Sequence, residues 1–173
     1  MSDLNQERDQ KMTSLLENLS RQEEGDSVDF RFFDYPMHYF AAIQVKNQAN
    51  VARLLAAVSL SPIEWRVLAT VRERKNQTVN DIAAVTAFDR FKVSRCVLTL
   101  TDRGFLRQNK AANDRRQVRT ELTPEGMKKF SQALVIIKRV YLNNLDGVSE
   151  EEFNILMRLM RRIKDNVNRS ELF

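Results

Sequence analysis

The sequence contains few of the residues that build turn-rich or disulfide-stapled folds. Its 173 residues include four glycines, three prolines and one cysteine, Cys96. Because short strands need frequent turns, this scarcity of turn-forming residues favours helices over an all-β fold. A single cysteine excludes an intrachain disulfide, so a hydrophobic core must stabilise the chain. The hydrophobic fraction of 43% and the charged fraction of 29% are typical of a globular protein.

Signals for secretion and membrane insertion are also absent from the sequence. The first ten residues, MSDLNQERDQ, are polar and lack the apolar stretch of a signal peptide. No apolar run approaches the ~20 residues that a membrane-spanning helix needs. The sequence therefore predicts a cytoplasmic protein without a membrane partner.

The sequence likewise lacks residue groups that support catalysis or bind metals. His38, the only histidine, is far in sequence from Cys96, and the carboxylates have no ligand spacing. No nucleophile–base pair or glycine-rich phosphate loop is present. We therefore expect a protein that is not an enzyme and has no metal or cofactor. Cys96 occupies an apolar helical position, which favours an inert packing residue over a redox sensor.

Positive charge is concentrated in the middle of the chain. Residues 61–124 contain thirteen basic and seven acidic residues, whereas residues 1–30 contain three basic and eight acidic residues. A basic segment indicates either a polyanionic partner or an ordinary solvated helical surface. Charge alone does not distinguish these two interpretations.

Capping residues and apolar periodicity predict the first two long helices. One helix is expected over residues 36–58. The next helix is expected to begin with a capping box between Ser61 and Glu64. Pro62 would occupy its first turn, where the missing N–H of proline costs least.

Two shorter helices are predicted to follow. Asn80 is the expected N-cap of the first, and Val85 is expected to face inward from it. Asp89 is the expected N-cap of the second, which should run to about Arg103 and end at Gly104. Residues 105–108 and 117–122 are then predicted to form two strands, of which the second alternates between apolar and charged residues. A polar, basic loop over residues 109–116 joins them.

The C-terminal region is predicted to form two more helices. Thr123 is the expected cap of the first, and Ser149 with Glu152 predicts a capping box for the second. The second helix carries a long apolar stripe, formed by Phe153, Leu156, Met157, Met160 and Ile163. Because an isolated surface helix would not carry such a stripe, we expect it to pack against a partner chain.

This order of elements predicts a mainly α fold with a small β-ribbon, in which a winged helix-turn-helix core is flanked by long helices. The third helix of such a core fits the DNA major groove. Its predicted DNA-contacting residues are Arg90, Lys92, Ser94 and Arg95. At the ribbon tip, Arg115 or Arg116 would meet the negative potential of the minor groove.

Five motifs occur in order between residues 61 and 126, namely SPIEWRVLATV, TVNDIAA, FDRFKVSR, LTDRGFLRQ and NDRRQVRTELTPEG. Together they resemble the DNA-binding core of the MarR family of transcriptional regulators. The resemblance implies a homodimeric repressor that binds a pseudo-palindromic operator in double-stranded DNA. It also implies release from DNA by a small aromatic acid or a related thioester. The expected regions are an acidic extension (1–29), an N-terminal dimerisation helix (30–60), the winged helix-turn-helix (61–123) and C-terminal dimerisation helices (124–173).

The resemblance also implies roles for individual DNA-contacting residues. Arg116 corresponds to the wing arginine of the family, and Asp114 would orient it. Arg95, which follows Ser94, corresponds to an arginine of the recognition helix, and Arg90 corresponds to a frequent basic position.

The recognition helix also departs from the family pattern. Phe91 and Lys92 stand where many relatives have small hydroxyl residues, and Leu98 and Thr99 replace an acidic–basic pair. Phe91 would either contact a thymine methyl group or pack against the preceding turn, and we expect packing.

The resemblance also implies that a small aromatic ligand binds between the dimerisation and DNA-binding regions. The candidate ligand-binding residues are His38, Arg53, Trp65 and Arg66. The arginines would pair with a carboxylate. A structural role for His38 and a core role for Trp65 remain the alternatives.

The alternative function is a constitutive or architectural DNA-binding protein that has no effector. A protein–protein adaptor that reuses the winged helix is a third possibility, although the basic ribbon tip and the basic helix surface argue against it.

Overall fold

The computed structural model describes residues 13–14, 31–110 and 118–169, and it divides into two compact units, Met1–Lys46 and Asn47–Phe173. The helices and strands are α1 (Pro36–Leu55), α2 (Pro62–Glu73), α3 (Val79–Thr86), α4 (Arg90–Asp102), β1 (Leu106–Lys110), β2 (Val118–Leu122), α5 (Pro124–Asn144) and α6 (Glu150–Arg169). Short 3-10 turns, Phe32–Asp34 and Ala56–Val58, lie on either side of α1. This mainly α fold with a two-stranded antiparallel ribbon confirms the predicted fold class.

Helix starts follow the capping residues of the sequence, with one exception. The Ser61–Glu64 box is present, since the Ser61 N–H donates to Glu64 Oε2 over 2.7 Å. The prediction of Asn80 as the N-cap of α3 is wrong. Thr78 caps α3 instead, because its hydroxyl accepts from the Asp81 N–H while the Asp81 carboxylate accepts from the Thr78 N–H. The hydrogen bonds that the Asp81 carboxylate accepts from the Thr78 N–H and from the Thr78 hydroxyl lower the pKa of Asp81.

The hydrophobic core of the second unit lies between α2, α3, α4 and the ribbon. Its fully buried side chains include Leu68 of α2, Ile82 of α3, Val97 of α4 and Leu106 of β1. The predicted inward orientation of Val85 is wrong, because this side chain is 44% exposed. Thr86 takes the inward position instead and satisfies its hydroxyl by donating to the Ile82 carbonyl over 2.8 Å.

The ribbon extends further than the sequence predicts. β1 pairs antiparallel with β2 over five residues, from Leu106 opposite Leu122 to Lys110 opposite Val118. The predicted first strand ended two residues too early, because Asn109 and Lys110 continue the pairing. Thr120, which is fully buried in β2, also donates its N–H to the Gln77 carbonyl over 2.8 Å. The ribbon is therefore joined to the chain segment that leads into α3.

The start of α5 is fixed against the base of the ribbon. Thr123 caps α5 as predicted, since its hydroxyl accepts from the Gly126 N–H over 3.0 Å. The same hydroxyl donates to the Gly104 carbonyl over 2.6 Å. Gly126 is buried so close to the ribbon that a Cβ atom there would lie 1.9 Å from the Phe105 carbonyl oxygen. This contact requires glycine at position 126.

Helix α6 begins with the predicted capping box of Ser149 and Glu152, and the Ser149 N–H donates to Glu152 Oε2 over 2.8 Å. None of its described residues is fully buried within the single chain. In the described part of the chain, no single helix is long and apolar enough to cross a membrane. Only residues 36–58 and 62–73 taken together across a bend reach that length and hydropathy.

Gly126→Ala is expected to destabilise the protein by about 1–3 kcal/mol, because the new methyl group must displace the backbone of the ribbon. This cost exceeds the ~1 kcal/mol by which alanine is normally preferred over glycine in a helix. Urea unfolding monitored by circular dichroism measures the difference. Lys128→Ala, an exposed substitution one turn or less away, should change the stability little. A Gly126→Ala variant as stable as the parent would contradict the assigned contact.

Candidate nucleic-acid interface

The orientation of α4 is set by a buried row of apolar side chains. Its members are Val93, Cys96, Val97 and Leu100. They recur at positions i, i+3, i+4 and i+7, so they share one side of the helix. Phe91, Arg95 and Leu98 lie on the opposite side and are exposed. The helix therefore has one side in the core and the other in solvent.

The predicted cations of α4 are all available at this exposed surface. Arg90, Lys92 and Arg95 are exposed, and Ser94 is half-buried. Three positive side chains within two turns make a surface that attracts phosphate groups. The structure thus places the four predicted residues of this helix together, along its first half.

The N-terminus of α4 is capped by a carboxylate. Asp89 accepts from the Lys92 N–H over 2.9 Å, and this hydrogen bond holds the pKa of Asp89 below its usual value. The ammonium group of Lys92 also lies 3.5 Å from Asp89 Oδ2. Lys92 is therefore partly engaged by its own helix cap. The guanidinium carbon of Arg95 lies 5.8 Å from the centroid of the Phe91 ring.

The base of the ribbon is held by polar contacts. Arg107 and Glu121 pair across the two strands at 2.8 Å, and Arg119 donates to the Asn76 carbonyl over 2.6 Å. The first contact joins the two strands, and the second joins β2 to the segment between α2 and α3. The predicted tip residues Asp114, Arg115 and Arg116 lie outside the described residues.

Arg103 is a positioning residue that the sequence analysis did not single out. Its guanidinium donates to Glu64 Oε1 and to the Ser59 carbonyl, each over 2.6 Å, and lies 4.8 Å from the ring centroid of Phe105. It thereby joins the end of α4 to the start of α2. The spacing to Glu64 in the sequence, 39 residues, gives no local signal that would have revealed this pair.

The expectation that Phe91 packs against the preceding turn is wrong. Its side chain is 70% exposed and points away from the core, next to Arg95. Phe88, two residues before the helix, packs against the core instead. Phe88 therefore takes the core position near the turn, and Phe91 stays largely exposed.

Cys96 lies in the buried row of α4, as expected. Burial is the main reason that the pKa of its thiol rises to about 12, and the carboxylate of Glu64 adds to this effect. A thiol with so high a pKa is almost entirely protonated at neutral pH and reacts slowly. In the described residues, no three His, Cys, Asp or Glu side chains gather into a metal site.

A cleft of about 280 Å³ lies within the second unit, between α2 and α5 and beside the last turns of α1. Two of the predicted ligand-binding residues, Trp65 and Arg66, line it. Trp65 also stacks on Phe130, with ring centroids 5.2 Å apart, and Arg66 lies 5.2 Å from the ring of Phe88. Trp65 therefore contributes to the core and to the cleft at once.

The other two predicted ligand-binding residues lie elsewhere. Arg53 is exposed on α1 and is not among the described residues that line the cleft. His38 belongs to the first unit, where it contacts the rings of Phe32, Phe33 and Tyr39 at centroid distances of 4.6, 5.7 and 5.5 Å. This aromatic surrounding is consistent with a structural histidine.

Comparisons with known proteins agree on the fold. Residues 60–126 match the winged helix DNA-binding domain family. A MarR/EmrR family transcriptional regulator from Acinetobacter sp. ADP1 superposes with a TM-score of 0.75 at 18% identity, covering 82% of this chain and 100% of that protein. CouR from Rhodococcus jostii RHA1, bound to p-coumaroyl-CoA, superposes with a TM-score of 0.71 at 18% sequence identity, covering 77% of this chain and 94% of CouR. Bordetella bronchiseptica BpsR, whose DNA binding is regulated by 6-hydroxynicotinic acid, superposes with a TM-score of 0.70 at 20% sequence identity, covering 79% of this chain and 97% of BpsR.

The Cys96 thiol is expected to resist alkylation in the folded protein. At pH 8, a pKa of about 12 leaves roughly one thiol in ten thousand ionised. The unfolded chain, with an ordinary thiol pKa of ~8.5, should react rapidly. Mass spectrometry after iodoacetamide treatment, with and without urea, measures both rates. Equal rates in the two conditions would contradict the buried, protonated thiol.

Proposed function

We propose that this chain, which contains a winged helix DNA-binding domain and has the fold of MarR-family transcriptional regulators, is a sequence-specific DNA-binding regulator that acts as a homodimeric repressor. The observation that carries the proposal is the solvent-facing side of α4. Arg90 and Arg95 are exposed on this side, and the buried residues on the other side hold the helix in the core. A cationic, well-anchored helix in a winged helix domain is suited to read base edges.

The proposed binding mode places the first half of α4 in the major groove. That groove is ~12 Å wide and admits one α-helix. Arg95, on the outermost side of the helix, would donate to base edges, preferably to a guanine. Arg90 and Lys92, on either flank, would contact phosphates and set the register of the helix. The ribbon would extend toward the minor groove, where we propose that Arg115 and Arg116 bind with the support of Asp114.

A homodimer is proposed because α6 leaves apolar side chains uncovered. Leu156, Leu159 and Met160 are exposed on this helix, which is strongly charged elsewhere. The apolar side of an amphipathic helix needs a partner surface, and a second copy of the chain supplies one through two-fold symmetry. Such a dimer presents two copies of α4, which suits an operator with two inverted half-sites.

Release by a small aromatic acid or its thioester is proposed from the cleft that contains Trp65 and Arg66. Its apolar wall includes Ile137 and Val140, and its arginine can pair with a carboxylate. Two proteins of the same fold, CouR and BpsR, were studied with p-coumaroyl-CoA and 6-hydroxynicotinic acid. Because α2 forms one wall of the cleft and also packs on α4, a bound ligand would change the position of α4.

The second candidate function is a constitutive DNA-binding protein without an effector. The stacking of Trp65 on Phe130 favours it, because a tryptophan already used by the core is less free to contact a ligand. The two candidates share the same DNA interface and differ only in the response to small molecules.

Arg95→Ala is expected to weaken specific DNA binding by about 5- to 150-fold, since a direct base contact is worth roughly 1–3 kcal/mol. The assay is fluorescence anisotropy with a duplex selected by the parent protein from a random-sequence pool. Lys128→Ala, which removes an exposed charge from α5, is the control and should change binding little. Equal losses in the two variants would contradict the role proposed for α4.

Aromatic carboxylates and their coenzyme A thioesters are expected to raise the melting temperature and to release the selected duplex. A ligand present at 100 times its Kd stabilises the folded state by about 2.7 kcal/mol. Arg66→Met should abolish both effects, because it removes the cation of the cleft and keeps the apolar bulk. Arg53→Met is the matched control outside the cleft. If no compound of the panel shifts the melting temperature, the constitutive function is supported instead.

A further inference from the structure

Two large apolar side chains stand on the solvent-facing side of α4. Phe91 is 70% exposed and Leu98 is 54% exposed, and they flank Arg95 along one line of the helix. Neither side chain packs in the core, because the buried residues of α4 lie on its other side. Large apolar groups on the outermost side of a helix indicate a surface that becomes covered in a complex.

The charges around these side chains favour DNA over a protein as that partner. Arg90, Lys92 and Arg95 lie within one turn of Phe91. Protein–DNA interfaces are much more positively charged than protein–protein interfaces, so three cations beside one phenylalanine favour DNA. Within the major groove, the C5-methyl group of thymine is the apolar group that a base edge offers. The ring of Phe91 is therefore suited to contact a thymine methyl group while the surrounding cations contact the nearby phosphates.

We propose that Phe91 is a specificity-determining residue that contacts the C5-methyl group of one thymine in each operator half-site. The proposal rests on the DNA-binding function proposed above. The Phe91 ring also lies 5.8 Å from the guanidinium carbon of Arg95, a cation–π distance that restricts where this arginine points. Phe91 thus both reads a base and positions the neighbouring arginine.

The helix geometry sets the spacing of the two bases. Phe91 and Arg95 are separated by four residues, or about 6 Å along the helix at ~1.5 Å per residue. Successive base pairs are ~3.4 Å apart, so the thymine lies within about two base pairs of the guanine that Arg95 contacts. Leu98 lies about 10 Å along α4 from Phe91, beyond the N-terminal part that meets base edges in helix-turn-helix proteins.

Replacement of thymine by deoxyuridine tests the proposal, because it removes the methyl group and leaves base pairing unchanged. The full-length protein first selects a duplex from a random-sequence pool. Each thymine of that duplex is then replaced in turn by deoxyuridine in both half-sites, and Kd is measured by fluorescence anisotropy. The proteins compared are the parent, Phe91→Ala, Phe91→Leu and Leu98→Ala. Because both residues are exposed, these substitutions should leave the melting temperature nearly unchanged.

The parent is expected to lose about four-fold in affinity for each methyl group removed at one position of the half-site. Phe91→Ala should bind the thymine and deoxyuridine duplexes equally, whereas Leu98→Ala should discriminate as the parent does. Phe91→Leu should keep part of the thymine preference and lose part of the guanine preference, since it lacks the ring.

Two results would overturn the proposal. One is a parent protein that is indifferent to every deoxyuridine substitution, and the other is a Phe91→Ala variant that discriminates as well as the parent. If Leu98→Ala alone loses discrimination, the thymine contact belongs to Leu98 and the assignment to Phe91 is wrong. If the pool yields no specific duplex, the DNA-binding function itself is refuted, which is a separate outcome.

Discussion

Burial of one row of side chains determines how α4 can be used. Val93, Val97 and Leu100 are fully buried, and the burial of each side chain contributes roughly 1.5–3 kcal/mol to the free energy of folding. This energy fixes the rotation of the helix about its axis, so Phe91 and Arg95 must face outward. A helix rotated by a quarter turn would bury a charge and expose the row. The direction of the proposed DNA-reading surface is therefore a consequence of core packing rather than of the surface residues themselves.

Other contacts fix the remaining freedom of α4 and connect it to the rest of the second unit. Arg103 ties its C-terminal end to Glu64 and Ser59 at the start of α2, and Asp89 caps its N-terminal end. Helix α2 forms part of the proposed ligand cleft and also carries Glu64, the partner of Arg103. A change in α2 would thus reach α4 through a short, hydrogen-bonded connection, which is the physical basis for the proposed release from DNA.

Local signals in the sequence predicted the fold well, because caps and periodicity act over a few residues. The Ser61–Glu64 box, the Asp89 cap and the buried Cys96 follow from such patterns. Two of the errors, at the cap of α3 and at Phe91, arose where two local signals competed. Thr78 outcompeted Asn80 because only Thr78 has a carboxylate three residues later, and Phe88 took the packing position that Phe91 was expected to fill. The hydrogen bonds of Arg103 to Glu64 and Ser59 could not be predicted, since these partners are distant in sequence. The roles of the ribbon-tip residues and of the ligand-binding residues stay predictions.

Methylation protection is the sharpest test of whether α4 binds in the major groove. Dimethyl sulfate modifies guanine N7, an acceptor in the major groove that an arginine on α4 would cover. We expect two clusters of protected guanines on a selected duplex, one for each copy of α4, with centres about 10 base pairs or a multiple of that apart. A duplex that binds tightly while all its guanines stay reactive would show that α4 does not bind in the major groove.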